Sequence, residues 1–104
     1  MTTTHDLENS YDWQEAFKYA KGFGISDVAE IRNAIEGYND GDDWIIWGRL
    51  NDGRWFYLHA GCDYTGWDCQ AGGDSVTAPS EEELIRMGMD FGSRQRFGIA
   101  QPSP

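Results

Sequence analysis

The sequence predicts an α+β fold: a small single domain with a three-stranded antiparallel β-meander packed against helices, in the order α-α-β-β-β-α. Two observations lead to this prediction. Residues 44–60, WIIWGRLNDGRWFYLHA, contain two runs of β-forming residues on either side of a turn. The segments on both sides of this hairpin instead carry apolar residues three and four positions apart, which is typical of amphipathic helices.

The turn residues Asn51, Asp52 and Gly53 determine the predicted pairing of the hairpin. A three-residue loop with Gly53 in the left-handed conformation pairs Leu50 with Arg54. Alternate residues then point to two faces of the sheet. The inner face carries Trp44, Ile46, Gly48, Leu50, Phe56, Leu58 and Ala60, and the outer face carries Ile45, Trp47, Arg49, Trp55, Tyr57 and His59.

Two helices are predicted before the hairpin and one after it. The first is capped by Ser10, ends at Gly22, and has the apolar positions Trp13, Ala16, Phe17 and Ala20. The second begins near Ser26 or Asp27, and its apolar positions are Val28, Ile31, Ala34, Ile35 and Tyr38. Residues 74–78 are predicted as the third strand, and Ser80 with Glu83 forms a capping box that begins the last helix.

The predicted domain comprises residues 10–99 of the 104-residue chain. Residues 1–9 are polar and aperiodic, so they are predicted to be a flexible tail, and residues 100–104 a second one. There is no apolar run long enough to span a membrane and no signal-peptide pattern at the start. The sequence therefore predicts a cytoplasmic location, where cysteines usually remain thiols.

The charge balance restricts the classes of partner. Eighteen acidic residues against eight basic ones give a net charge of −10, which disfavours direct binding to nucleic acid or to anionic lipid. Such a charge often only keeps a protein soluble; the alternative is a surface that binds a basic or nucleic-acid-binding protein. Asp40, Asp42 and Asp43 form one candidate acidic contact; the run 81–83 is also explained as the acidic first turn of a helix.

The segment GCDYTGWDCQAGG, residues 61–73, is the least ordinary part of the sequence. If Tyr64–Trp67 is the turn of a tight hairpin, Asp63 faces Asp68 and Cys62 faces Cys69. Opposed carboxylates repel unless turn amides, a basic group (Arg49 or Arg54) or a bound cation compensates. The cysteines could be two thiols packed under Trp67 or a cross-strand disulfide.

Two chemical alternatives for this segment remain open. His59, Cys62 and Cys69 supply three of the four ligands that a zinc site needs, without the paired cysteine spacing of such sites. A cysteine nucleophile with His59 as its base is the other alternative, although no signature of such an enzyme surrounds either cysteine. The interpretation we favour is a structural turn, with no catalytic residue, no metal and no cofactor.

A resemblance covers roughly residues 43–99. The run DGRWFYLHAGCDYTGWDCQAGG, followed by EEELIRMGM and RFGI, resembles a family of small proteins from actinobacteria and bacteriophages that carry a GCDYTGWDCQ-type motif. The resemblance implies a phage or mobile-element setting. It implies no activity and no catalytic residues.

The sequence thus predicts a small acidic, non-catalytic protein–protein interaction protein. In a phage setting it could inhibit a host or defence protein, as an anti-CRISPR protein or a DNA mimic does. Trp47, Arg49, Trp55 and Tyr57 on the outer face are predicted to bind the partner, unless Phe91, Phe97 and Ile99 fold over that face and bury it. The alternative function is a small enzyme or a ligand- or metal-binding module centred on Cys62 and Cys69.

Overall fold

The computed structural model describes residues 2–99, with a four-stranded antiparallel sheet between two helical segments. The strands are β1 Val28–Ile35, β2 Trp44–Leu50, β3 Trp55–Asp63 and β4 Gly66–Ala78. They lie in the order β1-β2-β3-β4, so each strand pairs with its neighbour in sequence. The predicted α+β class with an antiparallel meander is therefore confirmed, but the sheet has four strands and not three.

Short helices precede and follow the sheet. They are α1 Thr4–Glu8, α2 Tyr11–Ala16 with a 3₁₀ turn at Phe17–Tyr19, a 3₁₀ turn at Ile25–Asp27, α3 Glu81–Glu83 with a π-helical turn at Leu84–Gly88, and α4 Phe91–Phe97. Ser10 and Ser80 are confirmed as N-caps, and of the predicted Ser80–Glu83 capping box the structure shows the bond to the serine hydroxyl. The Ser10 hydroxyl accepts a hydrogen bond from the Trp13 amide, and the Ser80 hydroxyl accepts one from the Glu83 amide.

The predicted pairing of the β2–β3 hairpin is confirmed. Trp44 lies opposite Ala60 and Gly48 opposite Phe56, and the Leu50 amide donates to the Arg54 carbonyl at 2.8 Å. Gly53 has a φ of 94°, a conformation that costs other residues more. The turn therefore fixes which side chains belong to each face.

The second predicted helix is wrong, because residues 28–35 form strand β1. Its pairing with β2 shifts register between Val28 and Glu30 and again between Ile31 and Asn33. Each bulge inserts one residue, so Val28, Ile31 and Ala34 all point to the inner face although they are three positions apart. Two bulges thus produce on a strand the spacing that normally indicates a helix.

The prediction that residues 1–9 form a flexible tail is also wrong. Thr3 caps α1 through a hydrogen bond from the Asp6 amide, and the Asp6 carboxylate accepts from the Thr3 amide. Leu7 on this helix has no exposed surface and belongs to the core. One apolar residue in a polar stretch gives too little periodicity to indicate a helix. The second predicted tail, residues 100–104, lies outside the described residues.

The N-terminal segment covers the inner face of the sheet. Phe23 packs against Phe56 with ring centroids 5.1 Å apart, and Phe17 packs against both. The other core residues that this segment supplies are Leu7, Trp13 and Ala16. This layer is the helix-on-sheet packing that the sequence predicts.

The C-terminal segment covers the outer face, so the sheet is buried on both sides. Leu84, Met89 and Phe97 pack with Trp47 and Tyr57, which keep only 7% and 2% of their surface exposed. Of the residues predicted to cover this face, Phe97 and Ile99 do so, whereas Phe91 is 57% exposed. The outer face is therefore a second core.

This second core predicts different effects for two phenylalanines of the same helix. Phe97→Ala should lower the free energy of unfolding by about 3–5 kcal/mol, since it removes a buried aromatic ring and leaves a cavity. Phe91→Ala is the matched control and should change it by less than about 0.5 kcal/mol. Urea denaturation followed by circular dichroism measures both values. Equal losses would mean that α4 does not pack as described.

Candidate functional site

The GCDYTGWDCQAGG segment is the β3–β4 turn, but its pairing differs from the predicted hairpin. Asp63 lies opposite Gly66, and Cys62 lies opposite Ala71 rather than Cys69. Residues 67–70 have no partner on β3, which moves Cys69 out of register. Both cysteines are free; Cys62 is buried, and Cys69 is exposed. The expectation that both thiols pack under Trp67 is therefore wrong for Cys69.

Trp67 accounts for this irregular pairing. Its ring centroid lies 5.1 Å from that of Trp44, and its indole nitrogen donates to the Asp12 carboxylate at 2.9 Å. The extra residues let the ring turn towards the inner core, where it is only partly buried. Trp67 thus ties the turn to helix α2.

The Asp63 carboxylate accepts hydrogen bonds from groups of its own turn, which is one of the predicted alternatives. Its carboxylate accepts from the Thr65 amide at 2.9 Å and from the Thr65 hydroxyl. Asp68 lies in the unpaired stretch and does not face Asp63. Asp63 and Asp68 therefore do not repel each other across the turn, and no basic group or cation is needed between them.

The structure also separates the groups of the two chemical alternatives. His59 belongs to the outer face and Cys62 to the inner face, because neighbouring residues of a strand alternate between faces. His59 therefore cannot act as the base for Cys62. Among residues 2–99, histidine, cysteine and acidic side chains form no group of three that could hold a metal ion.

The loop 36–43, which joins β1 to β2, lies against the β3–β4 turn. The Asp40 amide donates to the Cys62 carbonyl at 2.9 Å, and the Cys62 thiol donates to the Asn39 side chain at 3.2 Å. Asp40 has a φ of 58°, which an aspartate tolerates better than most residues. Tyr38 lies over Gly41, where any side chain would collide with its ring. The loop is thus held in one conformation.

Carboxylates concentrate at this end of the sheet, which we call the acidic end. It comprises the loop 36–43, the β3–β4 turn with residues 67–70, and the start of α2. Within residues 2–99, none of its carboxylates pairs with a lysine or an arginine. They are Asp12, Glu36, Asp40, Asp42, Asp43, Asp63 and Asp68.

Three exposed tyrosines accompany these carboxylates. Tyr64 is 77% exposed, and Tyr11 and Tyr38 are each 60% exposed. The pKa of the Tyr11 hydroxyl is raised by desolvation and then by the negative charges of Glu15 and Asp68, so Asp68 acts on Tyr11 across the two elements. The acidic end therefore presents aromatic rings between unpaired negative charges.

Elsewhere in the described chain the basic residues are engaged. Arg32, an extra residue of a β1 bulge, lies 5.0 Å from the Trp55 ring and pairs with Glu30 and Glu81. Arg49 pairs with the same Glu30 at 3.5 Å. The bases thus neutralise acids on the sheet and on α3, and they leave the acidic end negative.

The predicted partner-binding residues fall into two separate regions. Asp40 and Asp42 are exposed at the acidic end, and Asp43 is partly exposed there. Trp47 and Tyr57 are buried by the C-terminal segment, while Trp55 and Arg49 remain partly exposed beside Arg32. Of the two alternatives for the outer face, the structure shows the covered one for Trp47 and Tyr57.

A cleft of about 370 Å³ separates β3 from α4 on the outer face, next to the acidic end. We call it the β3–α4 cleft; its polar residues are Asp43, Tyr57, His59, Asp90, Ser93, Gln95 and Arg96. The Nδ1 of His59 lies 3.3 Å from the Asp43 carboxylate, and the His59 ring stacks on Tyr57. Sequence reasoning singled out Asp43, Tyr57 and His59 separately, but not their proximity.

Burial and hydrogen bonding shift the acidities of two groups in this cleft. Burial raises the pKa of the Tyr57 hydroxyl, which bonds to Ser93 and Asp90. Burial favours a higher pKa for the Asp90 carboxyl. Hydrogen bonds from the Ser93 amide, the Ser93 hydroxyl and Tyr57 outweigh this effect, so the pKa is lowered. Tyr57 therefore stays protonated as a donor, and Asp90 stays ionised as its acceptor.

Sequence reasoning missed Asp90, Ser93 and Arg96 as members of this cleft. Asp90 caps α4 by accepting from the Ser93 amide at 2.6 Å, and the Asp-x-x-Ser spacing is a local signal for that helix start. Nothing local indicates that α4 then packs on β3. The cleft is a product of the tertiary fold.

No family model, curated protein or solved structure matches this chain. The helices within residues 2–99 are too short and too polar to cross a lipid bilayer.

The placement of the two cysteines predicts different thiol reactivities. Cys69 should react with a thiol-specific reagent in the native protein, because it is exposed. Cys62 should react at least about a hundredfold more slowly, because the fold must first open before the reagent can reach its thiol. Burial and nearby carboxylates, Asp12 first among them, also raise the pKa of the Cys62 thiol.

Absorbance with Ellman's reagent measures the two rates, and Cys69→Ser identifies the fast one by removing it. Full unfolding in guanidinium should make both cysteines react fast. Two fast thiols in the native protein would contradict the described turn, and so would two slow ones.

Proposed function

We propose that the protein is a small, acidic, non-catalytic interaction protein that binds a basic, nucleic-acid-binding surface of another protein through its acidic end. The observation that carries the proposal is the combination of unpaired carboxylates and exposed tyrosines on one rigid end of the sheet. Tyrosine is a frequent anchor in protein interfaces, and complementary charge steers association. Carboxylates spaced along a surface can take the positions of nucleic-acid phosphates.

The rigidity of the acidic end supports this use. The loop 36–43 is closed by hydrogen bonds from the Tyr38 amide to the Asp42 carbonyl and from the Gly41 amide to the Tyr38 carbonyl. The Asp40 amide bonds to β3, and Trp67 joins the turn to Asp12. A preorganised surface loses little conformational entropy on binding. It also keeps its charges close together despite their repulsion.

A phage or mobile-element setting, implied by the resemblance of residues 43–99, makes a cytoplasmic host or defence protein the natural partner. In that setting the protein inhibits its partner by occupying the surface that otherwise binds nucleic acid. The structure offers less to the alternative of an enzyme centred on Cys62 and Cys69, because these two residues are out of register and His59 is on the other face.

Two charge-matched triple variants test the acidic end. Asp40→Asn, Asp42→Asn and Asp68→Asn together remove three charges there, and asparagine keeps the left-handed conformation at position 40 accessible. Glu81→Gln, Glu82→Gln and Glu83→Gln together remove three charges at α3 and serve as the control. Immobilised protein of each kind is exposed to the heparin-binding fraction of a bacterial lysate, and the retained proteins are identified by mass spectrometry.

The expected result is a protein retained by the wild type and the α3 variant, displaced by DNA, and bound at least about tenfold more weakly by the acidic-end variant. Its affinity for the wild type should fall steeply as salt is raised. Equal retention by both variants, or affinity that does not respond to salt and DNA, would refute the proposal. Circular dichroism melts of all three proteins show whether the fold is kept.

A further inference from the structure

The β3–α4 cleft has an uneven supply of hydrogen-bonding groups. The Tyr57 and Ser93 hydroxyls bond to each other, and both reach the Asp90 carboxylate at 3.3 Å. Arg96 at the edge of the cleft uses one of its nitrogens to donate to the Asp43 carbonyl at 2.8 Å. The hydroxyl donors of the cleft are thus used within the protein.

Acceptors, in contrast, remain for a ligand. When the His59 Nδ1–H donates to Asp43, the other ring nitrogen keeps a free lone pair. The Asp43 side chain is 44% exposed, and a carboxylate can accept several hydrogen bonds besides the one from His59. These free acceptors favour a ligand that donates hydrogen bonds, although Arg96 and Gln95 also bring donors to the lining.

The charged side chains of the cleft favour a positively charged ligand. Two carboxylates, Asp43 and Asp90, line the cleft with one guanidinium, that of Arg96. Asp74, on β4, pairs with His59 in the sheet and forms an ion pair with Lys21. An anion would face these carboxylates. A cation gains from the same field and can also contact the stacked rings of Tyr57 and His59.

We propose that the β3–α4 cleft binds an organic cation, a guanidinium or an alkylammonium group, with Asp43 and His59 as its main acceptors. Two sources could supply this group: a free small molecule or a basic side chain of a protein. The site goes beyond the acidic-end function, because a small cation needs no protein partner and uses only Asp43 of the acidic-end carboxylates.

The two histidines of the chain permit a direct test by NMR. His59 lies in the cleft, and His5 on α1 is exposed far from it in the fold and serves as an internal reference. The full-length protein, at a pH of about 8 where an ordinary histidine is neutral, is titrated with N-acetyl-argininamide or N-acetyl-lysinamide. N-acetyl-glutaminamide is the uncharged control of similar shape.

The expected result is a saturable shift of the His59 ring signals with at least one cationic probe, and no saturable shift of His5. Asp43→Asn should weaken this binding by about tenfold, because it removes the charged acceptor. The α3 variant described above, whose substituted residues lie outside the cleft, should leave it unchanged. Asp90→Asn provides a second variant if Asp43→Asn alters the fold.

A shift of the same size with the uncharged probe would overturn the proposal, as would unchanged affinity in both cleft variants or no shift with either cation. Repeating the titration with an arginine-containing peptide distinguishes the sources: tighter binding than the single amide favours a protein side chain, and equal binding favours a free small molecule. The acidic-end variant described above should keep cation binding. Failure of one proposal is thereby separable from failure of the other.

Discussion

The β2–β3 hairpin is the constraint on which the rest of the structure depends. Its turn sets a register in which both faces of the two strands are largely apolar, so neither face can be left to solvent. A slip of one residue would exchange the two sets of side chains and bury Arg49 in the inner core. Helical segments lie both before and after the sheet in the chain. The N-terminal segment covers one face, and the C-terminal segment covers the other.

This use of both ends explains where function can reside. Most large apolar side chains are buried in the two cores, although Met87 and Phe91 remain exposed, and the basic residues form ion pairs and backbone contacts with groups other than the acidic-end carboxylates. The excess of carboxylates remains where β1 connects to β2 and β3 to β4, beside the start of α2. The same packing leaves the β3–α4 cleft, beside the contacts of Tyr57 on β3 with the Phe97 ring and with the polar groups of Asp90 and Ser93.

The fold class, the hairpin register and two helix caps could be predicted from the sequence because their determinants are local: Gly53, Ser10 and Ser80 act within a few residues. Strand β1 could not, since its apolar spacing of three is created by bulges that exist only in the pairing with β2. The predicted pairing of Cys62 with Cys69 is wrong for a similar reason. The irregular pairing goes with the contact of Trp67 with Asp12 on α2, which is distant in the sequence. Asp43, Tyr57 and His59 could each be named as candidate residues from the sequence. Their proximity to Asp90 and Ser93 could not, because it depends on the packing of α4 against β3.

Native-state hydrogen exchange followed by NMR tests the central claim most directly. If both layers are integral to one cooperative core, the amides of Trp47 on β2 and Leu58 on β3 should exchange only through global unfolding. The amides of Leu7 and Phe97, one from each layer, should then require nearly the same opening free energy, within about 1 kcal/mol. A layer that opens several kcal/mol more easily than the hairpin would contradict the account, because the face beneath it would then be stable without cover.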